Sequence, residues 1–125
     1  MNISEASRQS GATADTIRYY EKIGLIPAVK RNAHGVRRFD DEDLRWIIFA
    51  RQMRQAGLSI DVLTRYLHLF QQGEQTVAQR KQLLAEEISR TEQKIVDMTE
   101  ALERLRYKLA HYEEHTHKVE QGLQT

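Results

Sequence analysis

The sequence predicts an all-α fold with a small β wing: a winged helix-turn-helix head, followed by a long C-terminal coiled-coil dimerisation helix. Three observations lead there. The 125 residues include one proline and six glycines, so few positions interrupt a helix. Cap-forming residues and glycines divide residues 1–71 into four short helical segments, with a stretch of turn and strand chemistry between the second and third. From Thr76 to Glu114 there is neither proline nor glycine, and apolar residues recur once per heptad. A hydrophobic content of 40% with 30% charged residues suits a folded, helix-rich chain.

The first helix is expected over Ile3 to Gln9, with Ser4 as its cap, Ile3 and Ala6 facing inward, and Ser10-Gly11 as its stop. Thr13 offers a cap for a second helix to about Lys22, with Asp15 near its positive dipole end. Gly24 ends it, and Leu25, Ile26 and Pro27 leave extended. Two helices joined through Gly-Ala form a helix-turn-helix pattern. Lys30 to Phe39 reads as a hairpin, with turn chemistry at Asn32, His34 and Gly35 and strand character at Val36 and Phe39. Asp40 or Asp41 caps a third helix that runs to Ala56 before Gly57. Ser59 caps a fourth, carried by Leu63, Tyr66, Leu67 and Phe70, and Gly73 closes it.

Residues 76–114 then form one helix. Ile88, Ile95, Leu102 and Leu109 lie one heptad apart, and Leu84, Thr91, Met98, Leu105 and Tyr112 form the second series of an a/d seam with a single polar member. Roughly 39 residues at about 1.5 Å rise make a rod near 58 Å long, too long to bury its seam on a small domain. A partner helix is required, and Leu84, Ile88, Ile95, Met98, Leu102, Leu105, Leu109 and Tyr112 are the dimerisation residues. An intramolecular bundle is the weaker alternative, because the other helices are short and occupied by the head. Residues 115–125 form a polar tail expected to fray.

Charge is unevenly distributed. Residues 1–58 hold ten Lys/Arg against seven Asp/Glu, a balance of +3, while residues 59–125 hold nine against eleven, a balance of −2. The densest excess is Lys30, Arg31, Arg37 and Arg38, with no acid among them. A basic strip on a modestly basic domain is the electrostatic footprint of a polyanion-binding surface. The chain has no cysteine, which removes disulfides, thiolate metal sites and thiol redox sensing. No apolar run is long enough to span a bilayer and no signal-peptide pattern opens the chain, so a cytoplasmic location is expected. There is neither a phosphate-cradling glycine loop nor a nucleophile motif, and an enzyme is not expected.

The run Ile17-Arg18-Tyr19-Tyr20-Glu21-Lys22-Ile23-Gly24-Leu25-Ile26-Pro27, followed by Gly35-Val36-Arg37-Arg38-Phe39, resembles the signature of the MerR family of transcriptional regulators. That signature is Arg-Tyr-Tyr on a recognition helix, a Gly-Leu exit, and a wing reading Gly-Tyr-Arg-x-Tyr. Val36 and Phe39 depart from the two wing tyrosines. Trp46-Ile47-Ile48-Phe49 and Met53-Arg54-Gln55-Ala56-Gly57-Leu58-Ser59-Ile60 look most like the branch that senses aldehydes and related electrophiles. Sensors there place a cysteine five residues before the glycine; here that position is Gln52, which cannot be alkylated as a thiolate can. The resemblance implies a homodimer with antiparallel long helices on a near-palindromic promoter operator. It further implies distortion of the double-stranded DNA, with RNA polymerase as a partner at the promoter and no cofactor.

The recognition helix is expected in the major groove, with Thr13, Ala14, Thr16, Arg18 and Tyr19 as its DNA-facing candidates. Arg18 suits a phosphate or a guanine edge, and the Tyr19 hydroxyl suits a phosphate. Ile17 reads as core. Tyr20 fits either role, since buried aromatics dominate small cores. In the wing, Arg37, Arg38 and Phe39 are the candidates, with phosphate contact from the two arginines weighed against a merely solvated pair. The resemblance adds Arg54, which could instead satisfy helix-end carbonyls. His111, His115 and His117 permit a metal site only weakly, since helix-end histidines are favourable with the dipole alone. Rival readings are an architectural DNA binder without an effector and a coiled-coil module indifferent to DNA.

Overall fold

A computed structural model describes the backbone of residues 1–124 and the side chains of residues 1–114, 119 and 121–123. It comprises two compact units, Met1–Ala85 and Glu86–Thr125.

The first unit opens with α1 (Ile3–Ser10), and its cap is Asn2 rather than Ser4: the Asn2 side chain accepts from Glu5 N at 2.9 Å. Both residue types cap well, and Asn2 stands three before Glu5, the spacing of a capping pair. Gly11 ends the helix at φ 78°, returning its N–H to Ser7 O. α2 (Ala14–Ile23) follows, then strands β1 (Lys30–Arg31) and β2 (Arg37–Arg38) in an antiparallel pair with Lys30 opposite Arg38 and Arg31 opposite Arg37. The wing is thus shorter in strand than its sequence pattern suggested, because Asn32 turns the chain early. Its Oδ1 accepts from His34 N and Val36 N, and Arg31 Nη1 donates to Gly35 O at 2.9 Å across the tip.

α3 (Asp41–Gln55) begins at Asp40, whose side chain accepts from Asp43 N at 2.8 Å while Asp43 accepts from Asp40 N at 3.0 Å. Burial pushes the Asp43 carboxyl above its ordinary pKa, whereas the Asp43 N–H holds that of Asp40 below. α4 (Ile60–Gln71) is capped by Ser59, which accepts from Val62 N at 3.1 Å. A single 3-10 turn, Glu74–Thr76, leads out of it. Thr76 donates to Leu69 O and Gly73 O and accepts from Arg80 Nε, and the Arg80 guanidinium lies 5.4 Å above the Phe70 ring. These contacts tie the start of α5 (Val77–Ala110) to the end of α4.

The core of this unit gathers apolar residues from every helix of the head, with Ile17, Leu25 and Ile47 fully buried. Each such side chain contributes roughly 1.5–3 kcal/mol through burial. On α3 and α4, Trp46, Phe49, Tyr66 and Phe70 stack with ring centroids 5.1–6.4 Å apart. Leu83, one residue before the expected seam, is also buried.

The second unit holds the rest of α5, where the seam residues Ile88, Ile95, Met98, Leu102, Leu105 and Leu109 are 45–79% exposed. Local pairs support the helix from within: Arg90 with Glu87 at 2.5 Å, and Gln93 with Asp97 at 3.0 Å. Residues 115–124 are helical where a frayed tail was expected. A π-turn, Tyr112–Thr116, leads into α6 (His117–Gln124). Thr116 apart, nothing there but Gly122 opposes a helix, and one glycine costs only about 1 kcal/mol.

Candidate nucleic-acid interface

The exposed face of the head is built outward from α2. Thr13 sets its start: Oγ1 accepts from Thr16 N at 3.1 Å and donates to Thr16 Oγ1 at 2.9 Å. Gly24 sets its end, at φ 80°, with its N–H returned to the last turn and Leu25 N donating to Tyr20 O at 2.9 Å. Between these ends one stripe faces inward. Ile17 is wholly buried and Tyr20 is 9% exposed, three residues apart as one helix face requires.

Tyr20 therefore belongs to the core rather than to the outer face, although it also borders the cleft described below. Phe39 is a firmer correction. At 3% exposure it is a core residue, held by paired backbone bonds between its N and Met1 O (2.8 Å) and between Met1 N and its O (2.7 Å). Without a hydroxyl it gains nothing from the surface, so the base of the wing folds over it.

The outward face of α2 carries Thr13, Arg18 and Tyr19, with Ala14 and Thr16 half-buried between them. The Arg18 side chain is 48% exposed and pairs with Asp15 at 2.9 Å. Asp15 is itself 97% exposed, so water screens this pair and a stronger anion can displace it. Thr13, Thr16 and Tyr19 line an open cleft of about 530 Å³ together with Arg51, Arg54 and Gln55 from the end of α3. Arg54 does satisfy a helix-end carbonyl, donating from Nη1 to Leu58 O at 2.7 Å, yet it is exposed and borders the cleft. That bond commits one of its five N–H donors.

Arg51 was not singled out in the sequence. Its Nε donates to Ser10 O at 3.1 Å and its guanidinium covers Gly11, which brings the end of α3 onto the helix-turn-helix corner. The available signal was its position three before Arg54, which puts both on one face of α3.

The wing divides its cations. Arg37 is drawn inward, its Nε donating to Glu21 Oε1 at 2.7 Å, while Lys30, Arg31 and Arg38 are exposed. Glu21 also escaped notice as a functional residue. Its pairing partner lies sixteen residues away, which no local pattern reveals.

Among the described residues no group of three or more His, Cys, Asp or Glu could hold a metal ion. His111 stacks on Tyr107 at 4.3 Å and meets Glu114 at 3.3 Å; the side chains of His115 and His117 lie outside the described residues. No helix among the described residues is long and apolar enough to cross a membrane.

Comparison with known proteins agrees with this geometry. Residues 1–69 match the family model of MerR HTH family regulatory proteins, and residues 44–108 match the model described as MerR, DNA binding. The HTH-type transcriptional regulator AdhR of Bacillus subtilis is 52% identical over 90 residues, covering 72% of this chain and 64% of that protein. This chain thus spans less than two thirds of AdhR. A crystal structure of a putative MerR family transcriptional regulator from Listeria monocytogenes superposes with a TM-score of 0.87 at 52% identity, over 99% of this chain and 94% of that one. HiNmlR, a MerR family regulator lacking the sensor domain and crystallised on promoter DNA, gives a TM-score of 0.82 at 31% identity, over 90% of each chain.

Proposed function

The chain belongs to the MerR HTH family of regulatory proteins, and on that premise we propose that it binds a near-palindromic promoter operator as a homodimer and controls transcription by distorting the DNA. The observation that carries this reading is the convergence of α2 and the end of α3. Thr13, Thr16 and Tyr19 share one open cleft with Arg51 and Arg54, while Arg18 and the wing cations stay exposed. Arg18 and Tyr19 meet the duplex from the recognition helix, Arg38 and Arg54 meet its backbone, and Thr13, Ala14 and Thr16 form the surface that approaches the base edges. Phosphate neutralisation supplies most of the affinity, so binding weakens steeply with salt.

The domain division follows the same logic: residues 1–71 recognise DNA, and residues 76–114 join two copies. The seam from Leu84 to Tyr112 presents large apolar side chains to solvent along most of its length, which favours association with a second copy. Two linked heads raise each other's effective concentration at the operator. RNA polymerase is the partner at the promoter, the cytoplasm is the compartment, and regulation rather than catalysis is the activity. Gln52 stands where the electrophile-sensing branch carries its cysteine, so any signal reaches this protein by other chemistry.

A gel shift with genomic fragments at two ionic strengths tests the reading. Retention of a discrete fragment at low salt, lost at high salt, supports it. Indifference to DNA at both would leave only a coiled-coil module. A promoter fusion challenged with aldehyde, metal and oxidant separates regulation from architectural binding, which predicts no response to any.

A further inference from the structure

The four wing cations do not have equivalent surroundings. Both oxygens of the Glu21 carboxylate are taken: Oε2 accepts from Val29 N at 2.6 Å and Oε1 from Arg37 Nε at 2.7 Å. The Glu21 side chain is 13% exposed and that of Arg37 is 26% exposed. Glu21 therefore joins α2, the entry to the wing, and strand β2 through one group. We infer that Glu21 and Arg37 are a positioning pair, fixing the wing against the recognition helix, and that Arg38 and Lys30 present the wing's charge to phosphate. This rests on the DNA-binding reading above and assigns roles within it.

Three features support the assignment. Strands of two residues each cannot hold a hairpin at a set angle by their own ladder, so an external strut is required. Alternation along the strands puts Arg31 and Arg37 on one face and Lys30 and Arg38 on the other. Both cross-strand pairs oppose like charges, which destabilises the free hairpin; the Glu21 carboxylate relieves Arg31 and Arg37, and an anion would relieve Lys30 and Arg38. The charge of Lys30 also reaches Asp40 and Asp43, whereas no side-chain hydrogen bond or ion pair engages Arg38 among the described residues. Burial works to raise the pKa of Glu21, but the Val29 N–H, the Arg37 bond and the charges of Arg37 and Arg31 together hold it below the ordinary carboxylate range. The strut is thus ionised wherever the protein is folded at neutral pH.

The test is the salt dependence of binding to random-sequence double-stranded DNA by the full chain, for the wild type, Arg38→Gln, Arg37→Gln, Glu21→Gln and the Glu21→Gln/Arg37→Gln double variant. Arg38→Gln should flatten the slope of log affinity against log salt by about one phosphate contact. Arg37→Gln and Glu21→Gln should each weaken binding about tenfold with the slope unchanged, and the double variant should be no weaker than either alone, as coupled partners behave. Arg37→Lys keeps the charge, covers the case in which Glu21→Gln unfolds the head, and should recover part of the affinity. A slope loss in Arg37→Gln equal to that of Arg38→Gln, or tighter binding by Glu21→Gln, would overturn the assignment while leaving the DNA-binding reading intact. A wild type that binds no duplex at low salt would overturn both.

Discussion

A Cβ atom placed on Gly11 would lie 2.7 Å from Nη2 of Arg51 and 3.0 Å from its Nε, so the Arg51 guanidinium would have to shift to make room. The corner between α1 and α2 is thus shaped by a side chain forty residues downstream. Gly11 also adopts φ 78°, the left-handed region that side chains resist.

Gly11→Ala is therefore expected to destabilise the head by about 1–3 kcal/mol, from left-handed strain plus displacement of Arg51 from Ser10 O. Urea unfolding measures it. In an Arg51→Ala background the cost of Gly11→Ala should shrink to the backbone strain alone, because the two changes share a contact. Equal costs in both backgrounds would show that Arg51 does not press on this corner.

Arg18→Ala should weaken operator binding by about 1–3 kcal/mol, since the guanidinium is half-exposed and its bond to Asp15 is readily exchanged. Asp15→Asn should leave binding equal or stronger. Affinity titrations that place Arg18→Ala level with the wild type would remove it from the contact surface.

Leu102→Asp should dissociate the proposed homodimer. Leu102 lies midway along the seam, and self-association would bury an unpaired carboxylate there, which is strongly unfavourable. Sedimentation velocity reads the outcome directly. An intact dimer in this variant would mean that the seam lies elsewhere on α5.

Acid should weaken the head through Glu21. The Val29 N–H and the Arg37 guanidinium hold its folded pKa below that of an ordinary glutamate, so its contribution is fully present above the ordinary value and is lost as pH falls toward the lower folded pKa. Urea midpoints across the acid range should fall less steeply in Glu21→Gln than in the wild type. Identical slopes for the two would contradict an ionised strut.

Much of this architecture was legible where the determining chemistry is local. Thr13, Asp40 and Ser59 each cap their helix as their residue types suggested, and Gly24 stops α2 through a conformation that other residues avoid. What the sequence could not supply were contacts between distant segments. Phe39 looked like a wing residue because strand character says nothing of which face is covered; its burial depends on the wing closing over the core. Tyr20 fits either core or groove even with Ile17 read as core, because helix spacing does not say how wide the covered stripe is; packing buries it. The Glu21–Arg37 and Arg51–Ser10 bonds span sixteen and forty-one residues, beyond the reach of any periodicity. The C-terminal segment misled for another reason: polar composition lowers the expectation of packing, but not of helix.

Sedimentation equilibrium of the retained duplex with purified protein, at low and moderate ionic strength, most directly tests whether two joined heads grip one DNA molecule. The expected result is two chains per duplex at low salt, with dissociation as salt rises. One chain per duplex, or a chain that stays apart from DNA even at low salt, would contradict it.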